Sequence, residues 1–173
     1  GRLHLDRGMT LSLWYRPMDW RTGWLVEKNY GGEFGLYQTE AGGLIYRHGT
    51  DRAEGRYWFW QAVPDGSLAT GRWHHIFFAR QMTNYSIRCW LDGQLVTDQV
   101  FPLDADLLPA PGTNSLLIGS GHDGAGCVGS VEDVLFFRRA DWVTEEVNEF
   151  YDADGDGLPN PWEKTNGLDW HDN

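Results

Sequence analysis

The stretch SIRCWLDGQLVTDQV, residues 86–100, carries the sharpest structural signal in this chain. Apolar residues alternate with polar ones on both sides of Asp92 and Gly93, as they do in two strands that each bury one face. An Asp-Gly pair between such strands predicts a type I′ turn, because that turn needs a positive φ angle at both positions. The stretch therefore predicts an antiparallel β-hairpin.

Short segments of the same kind fill the chain on either side of this hairpin, up to residue 140. Each is rich in β-branched and aromatic residues and is bounded by turn residues, which favours an antiparallel sandwich or barrel. Helical periodicity is absent before residue 140, so a parallel α/β fold with crossover helices is excluded. The predicted strands are 9–17, 23–30, 33–39, 43–49, 55–63, 72–81, 85–91, 94–101, 115–121 and 127–139. Met9, Leu11, Leu13 and Tyr15 share one side of the first strand, and we expect Trp73 in the core.

The pattern changes at Ala140. The sequence DWVTEEVNEFYD places apolar residues three to four positions apart, which predicts one face of a short helix. Asp141 or Thr144 would cap its start, since short polar side chains accept hydrogen bonds from the first free backbone N–H groups. The chain thus divides into a β domain, 1–140, and a C-terminal segment, 141–173.

An acidic loop follows this helix, with the pattern D-x-D-x-D-G-L-x-N-x-x-E over residues 152–163. An EF-hand-type calcium loop needs oxygen ligands at positions 1, 3, 5, 7, 9 and 12 and a glycine at position 6. Hard oxygen donors without His or Cys favour calcium over a transition metal. The alternative is a solvated acidic linker. The predicted ligands are Asp152, Asp154, Asp156, the Leu158 carbonyl, Asn160 and Glu163, with Gly157 at the turn.

The net charge of −11 is distributed unevenly. From Asp141 onward ten carboxylates face one cation, Lys164, whereas the first 140 residues carry 15 acids and 13 bases. Nucleic acid is excluded as an expected partner, because phosphate binding needs clustered Lys and Arg. The sequence contains no run of about 18 apolar residues, so it does not predict a membrane-spanning helix. The start at Gly1, without Met or a leader, fits a mature fragment or an excised domain.

Cys89 and Cys127 are the two cysteines of the chain. They are compatible with one disulfide in an oxidising compartment or with two small buried apolar side chains. Their spacing does not match a zinc site.

The segment DADGDGLPNPWEKTNGLD, residues 152–169, resembles the bacterial thrombospondin type 3-like repeats of large secreted and surface proteins. The resemblance covers about one unit, and Asp169 and Asp172 stand where a next unit would begin. It implies that calcium stiffens this part of the chain, and it implies nothing about catalysis.

A second resemblance spans roughly residues 9–150. GRWHHIFFARQ (71–81), the hairpin and LLIGSGHDGAGCVGSVEDVLFFRRA (116–140) follow one another as in the laminin G-like, concanavalin A-like jelly roll, and MTLSLWYRP (9–17) resembles its first strand. The resemblance implies an all-β, antiparallel jelly-roll sandwich. The family includes carbohydrate-binding modules, lectins, adhesion domains and some glycosidases. Many members hold a structural calcium through an acid of the last strand, and Asp133 matches that acid by position.

Glycosidase activity is not expected from the last strand. Catalytic members of the glucanase kind carry alternating carboxylates, as E-x-D-x-x-E, on one strand. Here Glu132 and Asp133 are adjacent, and adjacent strand residues are expected to point to opposite faces. A G-x-S-x-G nucleophile elbow is absent from the sequence as well. We therefore expect a protein that is not an enzyme.

Candidate ligand-binding residues lie on strands and loops of the β domain. In YWFWQ (57–61) one aromatic pair must line the core, so the other faces outward, where it can stack on sugar rings. We take Trp58 and Trp60 as the outward pair. Arg47 and His48 would follow a strand and bind hydroxyl groups, and His122 and Asp123 would lie in a rim loop.

These observations predict a secreted or cell-surface module that belongs to a larger multidomain chain. Its function would be non-catalytic binding of a glycan or another extracellular surface, with calcium rigidifying the C-terminal joint. The alternatives are a structural spacer in a large adhesin and, less favoured, a glycoside hydrolase on the same fold.

Overall fold

The structure is a computed structural model that describes residues 5, 7–28, 33–50, 57–101, 108–110, 112–148, 150–151, 158, 163 and 166–168. Within them, ten strands precede one short helix. The elements are β1 (Gly8–Pro17), β2 (Gly23–Lys28), β3 (Phe34–Gln38), β4 (Leu44–Gly49), β5 (Tyr57–Val63), β6 (His74–Gln81), β7 (Ser86–Leu91), β8 (Gln94–Val100), β9 (Leu117–Ile118), β10 (Gly129–Phe137) and α1 (Thr144–Asn148).

The strands form two five-stranded sheets. The first has the order β10-β1-β6-β7-β8 and the second the order β5-β4-β3-β2-β9. The pairs within each sheet are antiparallel. This arrangement confirms the predicted all-β architecture and makes it a sandwich of two separate sheets.

The predicted hairpin is present as β7 and β8. Asp92 and Gly93 have φ angles of 50° and 74°, the positive values that a type I′ turn needs at both positions. Leu91 pairs with Gln94 across the turn, so the register starts directly at the Asp-Gly connection.

The core lies between the two sheets. Met9, Leu11, Leu13 and Tyr15 are buried in it, as the alternation on the first strand predicts. The expectation for Trp73 was wrong: this side chain is half-buried outside the core cluster, and the Arg16 guanidinium lies 5.1 Å from its ring centroid. Ile76 and Phe78 of β6 point into the core, and Trp73, just before this strand, is in register with the outward-facing Phe77.

The outer face of the first sheet is covered by the chain that follows β10. Trp142 and Val147 pack in a second apolar cluster with Phe77 and Trp90 of that sheet. The Trp90 indole N–H donates to Thr144 Oγ1 at 3.0 Å, which ties the start of α1 to β7. The helix is therefore held by packing and hydrogen bonds from the β domain.

Neither predicted cap starts α1. The backbone N–H of Val143 donates to Glu146 Oε2 at 3.2 Å, the reach-back half of a capping box. Asp141 instead pairs with Arg139 at 2.8 Å, and Thr144 accepts the hydrogen bond from Trp90. Both polar side chains are thus engaged by tertiary contacts that a local pattern does not contain.

Both cysteines are free thiols in this structure, which corresponds to the second of the two alternatives. Cys89 is fully buried between the sheets and Cys127 is half-buried. Burial raises the pKa of both thiols, so they remain protonated at neutral pH. Among the helices in the described part of the chain, none is long and apolar enough to cross a bilayer.

Candidate functional site

The outer face of the second sheet carries a group of aromatic side chains around one arginine. On β4, Leu44 and Tyr46 point into the core, so the alternation of the strand turns Arg47 outward. The cross-strand partner of Arg47 is Phe59, which is 52% exposed. This group, called here the aromatic face, consists of Trp24, Tyr37, Arg47, Tyr57 and Phe59.

Arg47 lies among three rings of the aromatic face. Its guanidinium carbon is 3.6 Å from the ring centroid of Tyr57, 5.4 Å from that of Phe59 and 5.6 Å from that of Trp24. These distances are in the range of cation–π attraction, which is strongest where water is excluded. The rings therefore hold the guanidinium in a defined position on the surface of the sheet.

Trp24 and Tyr37 form the other half of the aromatic face. Their ring centroids are 5.0 Å apart at an angle of 64°, an edge-to-face contact. Burial raises the pKa of the Tyr37 hydroxyl, and the positive charge of Arg47 partly opposes that rise. Tyr37 thus remains a neutral phenol that can donate or accept a hydrogen bond at neutral pH.

The loop between β9 and β10 borders the aromatic face. Asp123 Oδ2 accepts a hydrogen bond from the Trp24 indole N–H at 3.2 Å, and its Oδ1 accepts one from the Ala125 N–H at 2.9 Å. The His122 backbone N–H donates to Glu27 Oε2, and its Nε2 lies 3.0 Å from the Ser115 carbonyl oxygen. The predicted rim residues are therefore placed at the rim, where they fix the loop against Trp24.

Gly121 permits this close contact. A Cβ atom at this position would lie 2.0 Å from Cδ1 of Trp24, far inside any van der Waals distance. The glycine therefore lets the loop backbone lie against the indole edge.

A second glycine, Gly35, lies in the row of paired residues that crosses the aromatic face. Gly35 pairs with Glu27 on one side and Arg47 on the other, and Arg47 in turn pairs with Phe59. Because Gly35 has no side chain, the row has a gap between the acid and the arginine. Gly35 is nevertheless buried, so the side chains around it close over this gap.

The assignment of Trp58 and Trp60 as the outward pair was wrong. Both rings face the space between the sheets and stack on one another at 5.8 Å, with Phe101 edge-on at 5.3 and 4.5 Å. The outward pair is Tyr57 and Phe59. Pairing decides the choice, since the register that places Trp60 beside the buried Tyr46 also places Phe59 beside the charged Arg47.

His48 was also wrongly placed by the sequence prediction. It lies within β4, is 2% exposed and contacts the Tyr46 hydroxyl through Nδ1 at 2.9 Å. Its ring is parallel to that of Trp58 at 6.5 Å. A loop position that binds hydroxyl groups from solvent is therefore excluded for His48 in this structure, whereas Arg47 on the other face remains accessible.

Trp60 also lines a groove of about 420 Å³ at the edge of the sandwich, which shares Phe59 with the aromatic face. The groove lies between β5 and β8, which are edge strands of the two sheets. Trp60 and Val96, which line the groove, pack against the core, and Arg47 does not line it. Its lining residues are Phe59, Trp60, Gln61, Pro64, Val96, Thr97 and Gln99.

The adjacent acids of β10 do not follow simple alternation. Asp133 has a φ angle of 49°, and the register with β1 shifts between Ser12 and Trp14, which marks a β-bulge. Val131 and Val134 both pack against the core, so Glu132 and Asp133 lie exposed between them. The expectation that these two carboxylates point to opposite faces was therefore wrong.

Most of the predicted calcium ligands lie outside the residues that the structure describes. These are Asp152, Asp154, Asp156 and Asn160. Leu158 is half-buried, and the Glu163 side chain is buried at 1% exposure. Across the described ranges, no three His, Cys, Asp or Glu side chains group in a way that could hold a metal, and this includes the surroundings of Asp133. The ligand roles of the loop residues and of Asp133 stay predictions.

The chain belongs to the family described as the concanavalin A-like lectin/glucanases superfamily, of the laminin G type, which matches residues 1–145. This confirms the second resemblance noted in the sequence. A comparison with curated proteins finds no match.

Solved structures share the fold at low sequence identity. The heptameric SAP-like pentraxin from Limulus polyphemus has a TM-score of 0.60 at 13% identity, covering 97% of this chain and 78% of that one. A CBM40 domain of the Ruminococcus gnavus IT-sialidase, bound to α2,3-sialyllactose, has a TM-score of 0.59 at 15% identity, covering 82% and 80%. The binding domain of botulinum neurotoxin DC, in complex with rat synaptotagmin II, has a TM-score of 0.63 at 10% identity. That match covers 86% of this chain and 36% of the toxin domain.

Proposed function

We propose that this protein is a non-catalytic glycan-binding module of a secreted or cell-surface protein, and that the aromatic face is its binding site. The observation that carries the proposal is the arrangement of Arg47, Tyr57, Phe59, Trp24 and Tyr37 on an outer sheet surface. Aromatic rings stack on the apolar faces of sugars, and a few fixed polar groups orient the ligand.

The asymmetry between the two sheets supports this choice of surface. The outer face of the first sheet is packed under Trp142, Val147 and Phe150, which leaves little of it for a ligand. On the second sheet Phe59 is 52% exposed and lies beside the Arg47 guanidinium. An exposed apolar ring beside an arginine is a feature of binding sites more than of stability.

The fold relatives support a binding role as well. The sialidase CBM40 domain is bound to α2,3-sialyllactose in its structure, and the toxin binding domain is in complex with rat synaptotagmin II. Their identities to this chain are 15% and 10%, so these likenesses show the fold alone, and the residues of the aromatic face support a glycan as the ligand.

A glycan array tests the proposal directly. The wild-type protein should bind a defined set of glycans, and Phe59→Ala should lower that binding about tenfold, because stacking against one ring contributes about 1–2 kcal/mol. Leu135→Ala is the matched control, since Leu135 is 44% exposed on the other sheet. A silent array with folded protein would refute the proposal and favour the spacer alternative. Equal loss in both variants would refute the site.

We also propose that the acidic loop binds calcium and stiffens the joint to whatever follows. The spacing of Asp152, Asp154, Asp156 and Asn160 supports this, as does the burial of Glu163 at the last ligand position. A carboxylate that leaves water needs a compensating charge or hydrogen bonds, and calcium would supply such a charge.

Calorimetric titration of calcium into chelator-treated protein tests the loop. Heat release and a raised melting temperature are expected in the wild type and in Asp172→Asn, but not in Asp154→Ala. Absence of heat in the wild type would identify the loop as a solvated linker. Binding that survives in Asp154→Ala would place the ion elsewhere, for example at Asp133.

A further inference from the structure

Arg47 differs from four other arginines of this chain in what surrounds its charge. Arg21, Arg88 and Arg139 each pair with a carboxylate, and the buried Arg80 donates hydrogen bonds to protein oxygens. The Arg47 guanidinium makes no hydrogen bond or ion pair with any residue that the structure describes, and its Nε atom is buried. Within the part of the chain that the structure describes, its charge is contacted by the faces of three rings.

The carboxylates nearest in register are already engaged by other donors. Glu27, across Gly35 from Arg47, accepts the His122 N–H. Asp123, at the rim, accepts from Trp24 through one oxygen and from Ala125 through the other. Neither moves to Arg47 without breaking these contacts. Among the described residues the Arg47 charge therefore has no carboxylate partner, and it is available to attract an anionic ligand.

The rings around Arg47 also fix its orientation. The guanidinium lies over Tyr57 at 3.6 Å, with Phe59 and Trp24 on other sides. A planar guanidinium held in this way loses little side-chain freedom when it binds, so the cost of ordering it has been met before the ligand arrives. Its free N–H groups have the fork geometry that matches two oxygens of one oxyanion.

We infer that the ligand of the aromatic face is an acidic glycan, whose carboxylate or sulfate group binds Arg47 while its sugar ring packs on Phe59. This inference rests on the proposed glycan-binding function and specifies the class of ligand. A neutral sugar leaves the charge of Arg47 without a counter-charge, whereas an oxyanion supplies one by accepting from the terminal N–H groups of the guanidinium. Selectivity then comes from Arg47 and general affinity from the rings.

The test uses an array with matched sugars: galactose, galacturonic acid and galactose 3-sulfate, and the same series for glucose, each on the same linker. Wild-type protein should bind the acidic members at least about tenfold more strongly than the neutral ones, as expected for a charge-assisted bidentate contact. Arg47→Gln should reduce binding of the acidic members to the neutral level. The carboxylate and sulfate arms show which oxyanion the site accepts.

Arg16→Gln is the matched control. Arg16 also lies over an indole ring, that of Trp73, and has a buried Nε without a hydrogen-bond partner, but it belongs to the first sheet. The Arg16→Gln substitution removes the same charge as Arg47→Gln, and it should leave the glycan-binding pattern on the array unchanged. Equal loss in both variants would overturn the inference, because net charge alone would then explain the selectivity.

Arg47→Lys adds a second readout in case Arg47→Gln does not fold. It keeps the charge and loses the fork, so binding of the acidic members should fall several-fold without disappearing. Equal binding of neutral and acidic sugars, with Arg47 variants unaffected, would overturn this inference and leave the proposed function standing. A silent array would overturn both.

Discussion

At the scale of single residues, the Asp92 side chain connects the hairpin turn to the neighbouring strand. Its Oδ1 accepts the His75 backbone N–H at 2.9 Å, and its Oδ2 lies 2.8 Å from His74 Nδ1. Because His74 Nε2 accepts the Ala69 N–H, Nδ1 carries the proton and donates to Asp92. The residue that adopts the positive φ angle thus also anchors β6.

We predict that Asp92→Ala lowers the free energy of unfolding by about 1–3 kcal/mol, because it leaves two buried donors without an acceptor. Urea denaturation monitored by circular dichroism measures the change. Asp98→Ala is the control, since Asp98 forms only an exposed pair with Arg88, and it should cost less than about 1 kcal/mol. A loss no larger for Asp92 than for Asp98 would contradict this role.

At the scale of secondary-structure elements, the segment around α1 is stabilised by aromatic packing. Trp142 contacts Phe77, Phe137 and Phe150 with ring centroids 5.1, 5.3 and 5.7 Å apart, and its indole N–H donates to Thr10 Oγ1 at 2.7 Å. A helix of five residues has almost no intrinsic stability. These contacts therefore determine whether it forms.

We predict that Trp142→Ala destabilises the protein by about 3–5 kcal/mol and melts α1, because it removes the central ring of this cluster. Val143→Ala, at a side chain that is 51% exposed, should cost less than about 1 kcal/mol. Hydrogen exchange of the Val147 amide reports on the helix itself. Unchanged protection of Val147 in Trp142→Ala would show that α1 is held by other contacts.

The existence and order of the elements could be predicted from the sequence, because period-two alternation and turn residues are local properties. Which face of β5 is buried could not, since Tyr57 and Phe59 alternate with Trp58 and Trp60 and each pair is apolar. The buried face of β5 depends on its pairing with β4, which the sequence of β5 alone does not contain. Given the pairing of β4 with β5, the charge at Arg47 beside the core residue Tyr46 determines which face of β5 is buried.

The bulge at Asp133 and the start of α1 were missed for related reasons. A bulge shifts every later side chain by one position, and no local composition marked it at a non-glycine residue with positive φ. Asp141 and Thr144 both suit a helix cap, but Arg139 and Trp90 engage them from elsewhere in the fold. Contacts in the folded structure therefore determine both the bulge at Asp133 and the start of α1.

At the scale of the whole molecule, His75 makes stability depend on pH. It is a buried residue of β6, with Ser12 Oγ of β1 at 2.9 Å from Nε2 and the rings of Trp14 and Tyr151 beside it. Burial lowers the pKa of His75 to about 4, and the charge of Asp92 opposes this only in part. The folded protein therefore holds His75 neutral.

A lowered pKa in the folded state means that the unfolded chain binds the proton first as the pH falls. The contribution of His75 is then fully present above about pH 6.5 and is lost between about pH 6.5 and 4, with a slope of up to about 1.4 kcal/mol per pH unit. We predict that the difference in unfolding free energy between wild type and His75→Gln shrinks over this range. A difference independent of pH would contradict it.

The measurement that tests the central claim most directly is an NMR titration of the labelled protein with the glycan that binds most strongly on the array. Amide signals of Tyr37, Arg47 and Phe59 should move with increasing ligand, and those of Trp90 and Val147, under the opposite outer face, should stay in place. Movement confined to Trp60, Val96 and Gln99 would instead place the ligand in the edge groove and contradict the assignment of the aromatic face.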